Sequence, residues 1–334
     1  MSSVKQTIIS LAKKAGTFNL AKFAVRNKPV ILMYHRFGKT SDERVMDIDV
    51  FEKQICILKK KFTLIAMSEL IDCGKKGNRL PANSVIITID DGYSDFYDVA
   101  FPVLKKYHAP ATLYVTHDFV DGTSWMWPDK VEYIVKNTST TAYSLNESDI
   151  NIQASFNSSS EKSQAWNDIA DYCLTLSEEK KTEYISQLSR ELDVDLPDLA
   201  PAEYNAVSWD NIKEMSACSI DIGGHTMTHP KLTQVTEADL NFEIAGSREL
   251  LQSATQQEIN SFAYPNGTRQ DFDDNIKQKV REAGYANAVV GYHDGDLYSD
   301  TYELGRYAID NNMQQFIKTI HGVEYFSSRL RSGR

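Results

Sequence analysis

From residue 29 onward, short unbroken apolar runs alternate with longer stretches of helical periodicity. Val30-Ile31-Leu32-Met33-Tyr34 and Val85-Ile86-Ile87-Thr88-Ile89 have the length and β-branched content of strands buried on both faces. Phe51, Ile55 and Leu58 recur at helical spacing and predict a helix beginning near Asp49. A second helix is expected from about Ser94 to Tyr107, followed by a strand at 111–115. Beyond residue 200 the same rhythm returns, with strands expected at 220–223, 261–264 and 286–290 and helices at 237–251 and 273–283. Repeated strand–helix alternation predicts an α/β fold with a parallel sheet or barrel, its chemistry at the C-terminal strand ends.

Two stretches depart from that rhythm. Between about 121 and 200, Tyr143/Leu145 and Ile150/Ile152/Ala154/Phe156 alternate around Asn146-Glu147-Ser148, which predicts a polar hairpin. Helices are expected around 166–176 and, with Ser177 as N-cap, 178–192. The segment reads as an insertion over the sheet, either shaping a cleft or only decorating the fold. Residues 1–28 form a leader in which Ile8, Leu11 and Ala12, then Leu20, Phe23 and Ala24, line apolar faces opposite lysines. That leader is either a peripheral anchor on anionic lipid or a helix packed on its own domain, 29–334.

Composition narrows the class. The chain has 334 residues, 42% of them hydrophobic and 25% charged, enough for a sizeable core without disulfide or metal staples. The leader holds Lys5, Lys13, Lys14, Lys22, Arg26 and Lys28 and no acid, so the overall charge of −10 hides a balance of −16 in the remainder, 30 basic residues against 46 acids. A body this acidic excludes nucleic acid as a partner. The four cysteines show no CxxC spacing and are expected as thiols in a reducing compartment. Lys13-Lys14 interrupt the first apolar run before it reaches signal-peptide length, so the expected location is cytoplasmic, with possible contact to the inner membrane face through residues 1–28. The sequence leaves oligomeric state open.

The chemistry concentrates in few residues. His225 and His229 follow a strand end and two glycines, and on one helical turn their rings would face the same ion. Asp90 and Asp91 end a buried strand, where an unpaired charge costs several kcal/mol. Neighbours on an extended chain diverge, so one carboxylate could hold a cation while the other addresses a water. An acid and two histidines leave positions open on a divalent ion, which suits hydrolysis of an amide or ester.

Thr88-Ile89-Asp90-Asp91-Gly92-Tyr93, His225-Thr226-Met227-Thr228-His229-Pro230 and Ser261-Phe262-Ala263-Tyr264-Pro265-Asn266-Gly267 resemble, in order and approximate spacing, the motifs of the polysaccharide deacetylase family, the NodB-homology domain of carbohydrate esterase family 4. Leu32-Met33-Tyr34-His35 and Glu303-Leu304-Gly305-Arg306-Tyr307-Ala308-Ile309 resemble its polysaccharide-biosynthesis branch. The likeness covers roughly residues 29–120 and 205–312. It implies a distorted (β/α) barrel that removes N-acetyl groups from an amino-sugar glycan, usually with Zn²⁺. It further implies Asp91, His225 and His229 as metal ligands and Asp90 as general base. Tyr264, Pro265 and Asn266 would wall the groove, the Asn266 N–H facing the oxyanion.

Two departures shape the expectations. Ala263 and Asn266 stand where many members carry Arg and Tyr, and Arg306 is the expected replacement partner for Asp90, its alternative an ordinary structural ion pair. No apolar strand followed by a histidine is found near the C-terminus. His35, at the end of the first strand, is therefore the first choice as acid or substrate contact. His321 reads as structural or exposed, and His293, His108 and His117 as loop or helix-end residues. Tyr93, Trp125 and Trp127 could stack on sugar rings or simply pack. The resulting reading is a metal-dependent de-N-acetylase of a surface polysaccharide or its lipid-linked precursor. The rivals are a hydrolase of a small amide, cyclic imide or acetyl ester, and an inactive glycan-binding module.

Overall fold

The computed structural model describes residues 17–40, 42, 44–147, 150–293 and 300–326. Its strands are β1 (Val30–Tyr34), β2 (Arg36–Gly38), β3 (Val45–Asp47), β4 (Thr63–Leu64), β5 (Ser84–Ile89), β6 (Ala111–Val115), β7 (Ala142–Glu147), β8 (Ile150–Ser155), β9 (Ile220–Gly224), β10 (Ser261–Ala263), β11 (Asn287–Val289) and β12 (Tyr307–Ala308). The main sheet runs β11-β10-β9-β6-β5-β1-β12, all parallel, with β4 beside the start of β5. Parallel neighbours need crossovers, which the helices Ile48–Lys61, Phe101–Tyr107, Trp209–Ala217, Ser247–Thr255 and Asp274–Glu282 provide. The first of these starts where Asp47 accepts the N–H groups of Asp49 and Val50.

The strands alternate between two apolar layers. Leu32, Ile87, Leu113, Ile222 and Phe262 face the helices in the main core. Ile31, Ile86, Tyr114, Ala263, Val289 and Leu304 form a smaller cluster on the other face, the inside of the curl. Gly223 belongs to that interior: a Cβ there would collide with the Tyr114 ring, so no other residue fits.

Residues 301–309 join the sheet's two ends. Leu304 exchanges backbone hydrogen bonds with Ala288 and Val290 beside β11, while β12 pairs with β1 at Leu32 and Met33. The resulting architecture is the distorted (β/α) barrel that the resemblance implies, within the parallel sheet or barrel that the alternation predicts. Strand β12 was not expected, because two residues are too short to show a period.

Between β6 and β9 the chain builds a second core. The helices Trp127–Asn137, Ser159–Cys173 and Glu178–Glu191 pack on the β7–β8 hairpin through Ile134, Tyr143, Ile152, Phe156, Ile169 and Leu188. The hairpin expected as polar is thus apolar on one face; Ser148 at its tip lies outside the described residues. Of the leader, residues 1–16 also lie outside them. The helix Thr17–Val25 touches the body through Phe18 on His321, Lys22 on Phe62 and Lys61, and buried Val25, leaving Leu20 and Phe23 exposed. Among the described residues no helix is long and apolar enough to cross a membrane.

Candidate active site and metal centre

Strand alternation places the site. Continuing the inward positions of β1 and β5 by one step puts His35 and Asp90 at the barrel mouth, and continuing β9 from Gly223 puts His225 there. Asp91 then turns away from Asp90 because its φ of 79° and that of Gly92, 101°, bend the chain sharply. The two adjacent acids therefore serve different partners.

Asp91 Oδ1 lies 3.3 Å from His225 Nε2 and 3.6 Å from His229 Nε2. One ligating atom from each residue falls within 4.8 Å of the others, and all three residues are buried. His225 Nδ1 donates to the Ala263 carbonyl at 2.8 Å, which in the neutral ring leaves Nε2 as a lone pair aimed at a carboxylate oxygen. Two acceptors can face each other so closely only with a proton or a cation between them. Burial alone would lower the pKa of His225, yet its hydrogen bond to Asp91 and the charges of Asp90 and Asp91 raise it. Burial and the charge of His225 together press His229 down to about 3, so its ring stays neutral and able to ligate. Burial opposes ionisation of Asp91, but His225, His35 and His229 hold its carboxyl below the usual carboxylate range. The donor set of one carboxylate and two neutral imidazoles fits a zinc-type ion with positions left open.

The histidine motif is not the helical turn expected from its spacing. Thr226 and His229 adopt positive φ, 67° and 62°, and the rings meet at 4.8 Å between centroids and 70° between planes. Pro230 cannot continue a helix, and the loop's N–H groups are claimed elsewhere. Glu243 accepts from the N–H groups of Met227 and Thr228 at 3.0 Å each and from the Thr228 hydroxyl at 2.7 Å. Thr226 Oγ1 accepts from the His229 N–H. Glu243 sits in a single π turn, Phe242–Gly246, which interrupts the helix expected over 237–251.

Asp90 receives a bidentate pair from Arg306, Nη1 to Oδ1 and Nη2 to Oδ2, both at 2.6 Å. Arg306 also donates from Nε to the Val290 carbonyl and from Nη1 to Thr88 Oγ1, and both charged side chains are almost wholly buried. Burial would push the Asp90 carboxyl up; Arg306 outweighs it and keeps the group ionised. His35 Nε2 stands 3.9 Å from Asp90 Oδ2, its side chain 44% exposed to the mouth.

A cleft of about 500 Å³ opens over these groups and is lined by His35, Asp90, Asp91, His225, His229 and Asn266, among others. Asn266 is exposed and at positive φ, 57°, and its N–H donates to none of the described residues, which leaves it open to a ligand. Pro265 is buried beside it. Tyr264 borders the cleft, but its ring stacks on Phe272 at 4.3 Å and its hydroxyl donates to the Tyr302 carbonyl, so the side chain is committed to packing. Tyr93 is committed as well: Arg36 covers one ring face at 3.9 Å, Phe119 meets its edge, and its hydroxyl donates to Asp129. Trp125 is buried against Tyr133 and Tyr204, and Trp127 carries the Lys181 ammonium over its ring. Both tryptophans border another groove, of about 800 Å³, and not the cleft over the acids. The tryptophan that does line the cleft is Trp166, from the insertion, with Arg44 over its ring.

The remaining histidines are structural. His321 packs between Phe18 and Phe62, His293 stacks on Tyr307, His117 leans on Trp209 and His108 caps a helix in the left-handed region. Sequence reasoning missed Glu243, Asp129, Trp166 and the pair Glu178–Lys181. Lys181 Nζ donates to Glu178 Oε1 at 2.7 Å, and the same oxygen accepts the Lys231 N–H at 3.3 Å, two residues beyond His229.

A family model described as polysaccharide deacetylase matches residues 77–288. The poly-beta-1,6-N-acetyl-D-glucosamine N-deacetylase of Staphylococcus epidermidis is 33% identical over 118 residues, covering 30% of this chain and 40% of that protein. Its namesake in Escherichia coli K12 is 27% identical over 96 residues, covering 28% of this chain and 14% of that protein. The matches thus span well under half of these relatives. Among solved structures, the Streptococcus pyogenes deacetylase PplD in complex with acetate superposes with a TM-score of 0.58 at 19% identity, covering 87% of this chain and 97% of that one. IcaB from Ammonifex degensii gives 0.55 at 18% identity, covering 88% and 97%. At such identities these two likenesses speak for the fold.

Proposed function

This chain belongs to the polysaccharide deacetylase family, and on that premise we propose that it is a metal-dependent hydrolase removing N-acetyl groups from amino sugars of a surface polysaccharide or its lipid-linked precursor. The β-1,6-linked N-acetylglucosamine polymer named for two relatives is the first substrate to try. The observation that carries the reading is the convergence of Asp91, His225 and His229 beside the arginine-clamped Asp90.

Asp91, His225 and His229 would hold Zn²⁺ or a similar divalent ion. When bound, such an ion polarises a carbonyl oxygen and acidifies water. Asp90 takes the proton of the attacking water, a task for which Arg306 keeps it ionised and fixed in direction. The Asn266 N–H donates to the oxygen on which negative charge develops. His35, exposed at the mouth and close to Asp90, delivers a proton to the departing amine. Exposed Leu20 and Phe23, with the basic leader, support peripheral contact with an anionic membrane as a secondary part of the proposal.

The test is acetate release from β-1,6-linked N-acetylglucosamine oligomers, with chitooligosaccharides, acetylated xylan and a cyclic imide as competitors for the assignment. Asp90→Asn should lower release at least about 100-fold, the scale of a lost general base. A variant that kept full activity would remove Asp90 from the mechanism.

A further inference from the structure

Among the described residues, every charged side chain deep in the cleft is matched except one. Asp90 is paired with Arg306, Asp91 faces two histidines, and Asp42 and Glu132 share Arg44. Glu132 also binds Lys136. Arg36 is taken by Asp95 and by the Glu203 carbonyl. Asp129, in the first turn of the helix Trp127–Asn137, is 6% exposed. Its Oδ2 accepts from the Tyr93 hydroxyl at 2.8 Å; Oδ1 accepts no hydrogen bond, and no ion pair forms at this carboxyl among the described residues. The same residue lines the cleft that holds Asp90 and Asp91.

We propose that Asp129 is a subsite for the ammonium of a free amino sugar, so that the favoured substrate carries an unacetylated unit close to the one being deacetylated. This rests on the deacetylase reading above. A buried carboxylate with one satisfied oxygen gains most from a ligand that brings both positive charge and N–H donors. An N-acetyl group brings a neutral amide and cannot neutralise it. Burial presses the Asp129 carboxyl up to about 7, with Arg36 easing and Glu132 and Asp91 adding to the effect, which is the behaviour of an acid still lacking its cation. Tyr93, one residue beyond Gly92, ties this carboxyl to the turn that carries Asp91, so occupation of the subsite registers the glycan against the reacting centre.

The experiment compares kcat/KM for acetate release from a fully N-acetylated oligosaccharide and from the same oligomer with one free amine. It uses the metal-loaded full chain and Asp129→Asn, which preserves shape and an acceptor for Tyr93. The wild-type should favour the amine-bearing oligomer by about tenfold, the worth of one charge-assisted contact, and the variant should lose that preference. Equal losses on both substrates, or a preference surviving in Asp129→Asn, would overturn the proposal. Calorimetric binding of a glucosamine oligomer to both proteins separates the two readings. Weaker binding by the variant with no acetate release from any glycan would retain the subsite and reject the deacetylase, whereas release without a binding difference would do the reverse.

Discussion

The strand ends and the inserted segment treat buried charge in opposite ways. At the strand ends the two buried acids among the described residues each have partners held by the sheet: Arg306 for Asp90 and two imidazoles for Asp91. On the insertion side, Lys181 is 2% exposed with Glu178 as its anion, and Asp129 has a hydroxyl alone. Chemistry is fixed in advance at the strand ends and awaits a ligand beside the insertion. Strands hold side chains to sub-ångström register, so a closed network suits the reacting groups. Helices packed on a separate core leave room for a group whose partner arrives with the substrate.

The sharpest break in that comparison is Arg306→Met. It leaves Asp90 charged, buried and unpaired, so unfolding free energy should fall by about 3–5 kcal/mol in urea titrations and acetate release should fall with it. A small stability loss would mean that the network is not closed. Next is the seam between the regions. Glu178→Gln removes the anion beside Lys181 and weakens the acceptor for the Lys231 N–H in the loop after His229, and zinc affinity measured by competition with a chromogenic chelator should drop, by no more than the roughly tenfold lost with a group bonded directly to a metal ligand. Unchanged affinity would make the insertion energetically separate from the metal loop.

A smaller effect follows from Asp129. Its folded pKa of about 7 lies above the ordinary carboxylate value, so unfolding releases a proton between about pH 4 and 7. Stability should therefore be greatest at the acid end of that window and fall toward its upper end, by at most about 1.4 kcal/mol per unit from this group. Tyr93, Arg36, Glu132 and Asp91 surround the carboxyl and enter the same balance. Asp129→Asn should flatten the slope of Tm against pH over that range; an unchanged slope contradicts an uncompensated acid. The smallest change is expected from Leu20→Ser with Phe23→Ser, which should shift Tm by no more than a degree or two while lowering sedimentation with anionic vesicles. Unaltered sedimentation would leave the leader as a packed helix.

The site's legibility in the sequence follows the same division. Alternation along β1, β5 and β9 was enough to bring His35, Asp90 and His225 to one mouth, because a strand fixes direction two residues at a time. It could not show that two left-handed residues, rather than a helical turn, bring His229 back onto Asp91. Glu243, Trp166, Lys181 and Asp129 come from helices whose periodicity says which face is apolar and nothing about which distant loop that face meets. Tyr93, Trp125 and Trp127 stayed open between stacking and packing for a related reason: a ring after a strand end looks the same in sequence whether it faces a groove or a neighbouring core.

The central claim is that Asp91, His225 and His229 hold the metal on which acetate release depends. Acetate release from an N-acetylglucosamine oligomer should be followed on one preparation as isolated, after chelation and after zinc is restored. Activity should be lost on chelation and recover with one zinc per chain, with no recovery in His225→Ala; chelated protein that released acetate at the original rate would show that these residues hold no essential metal.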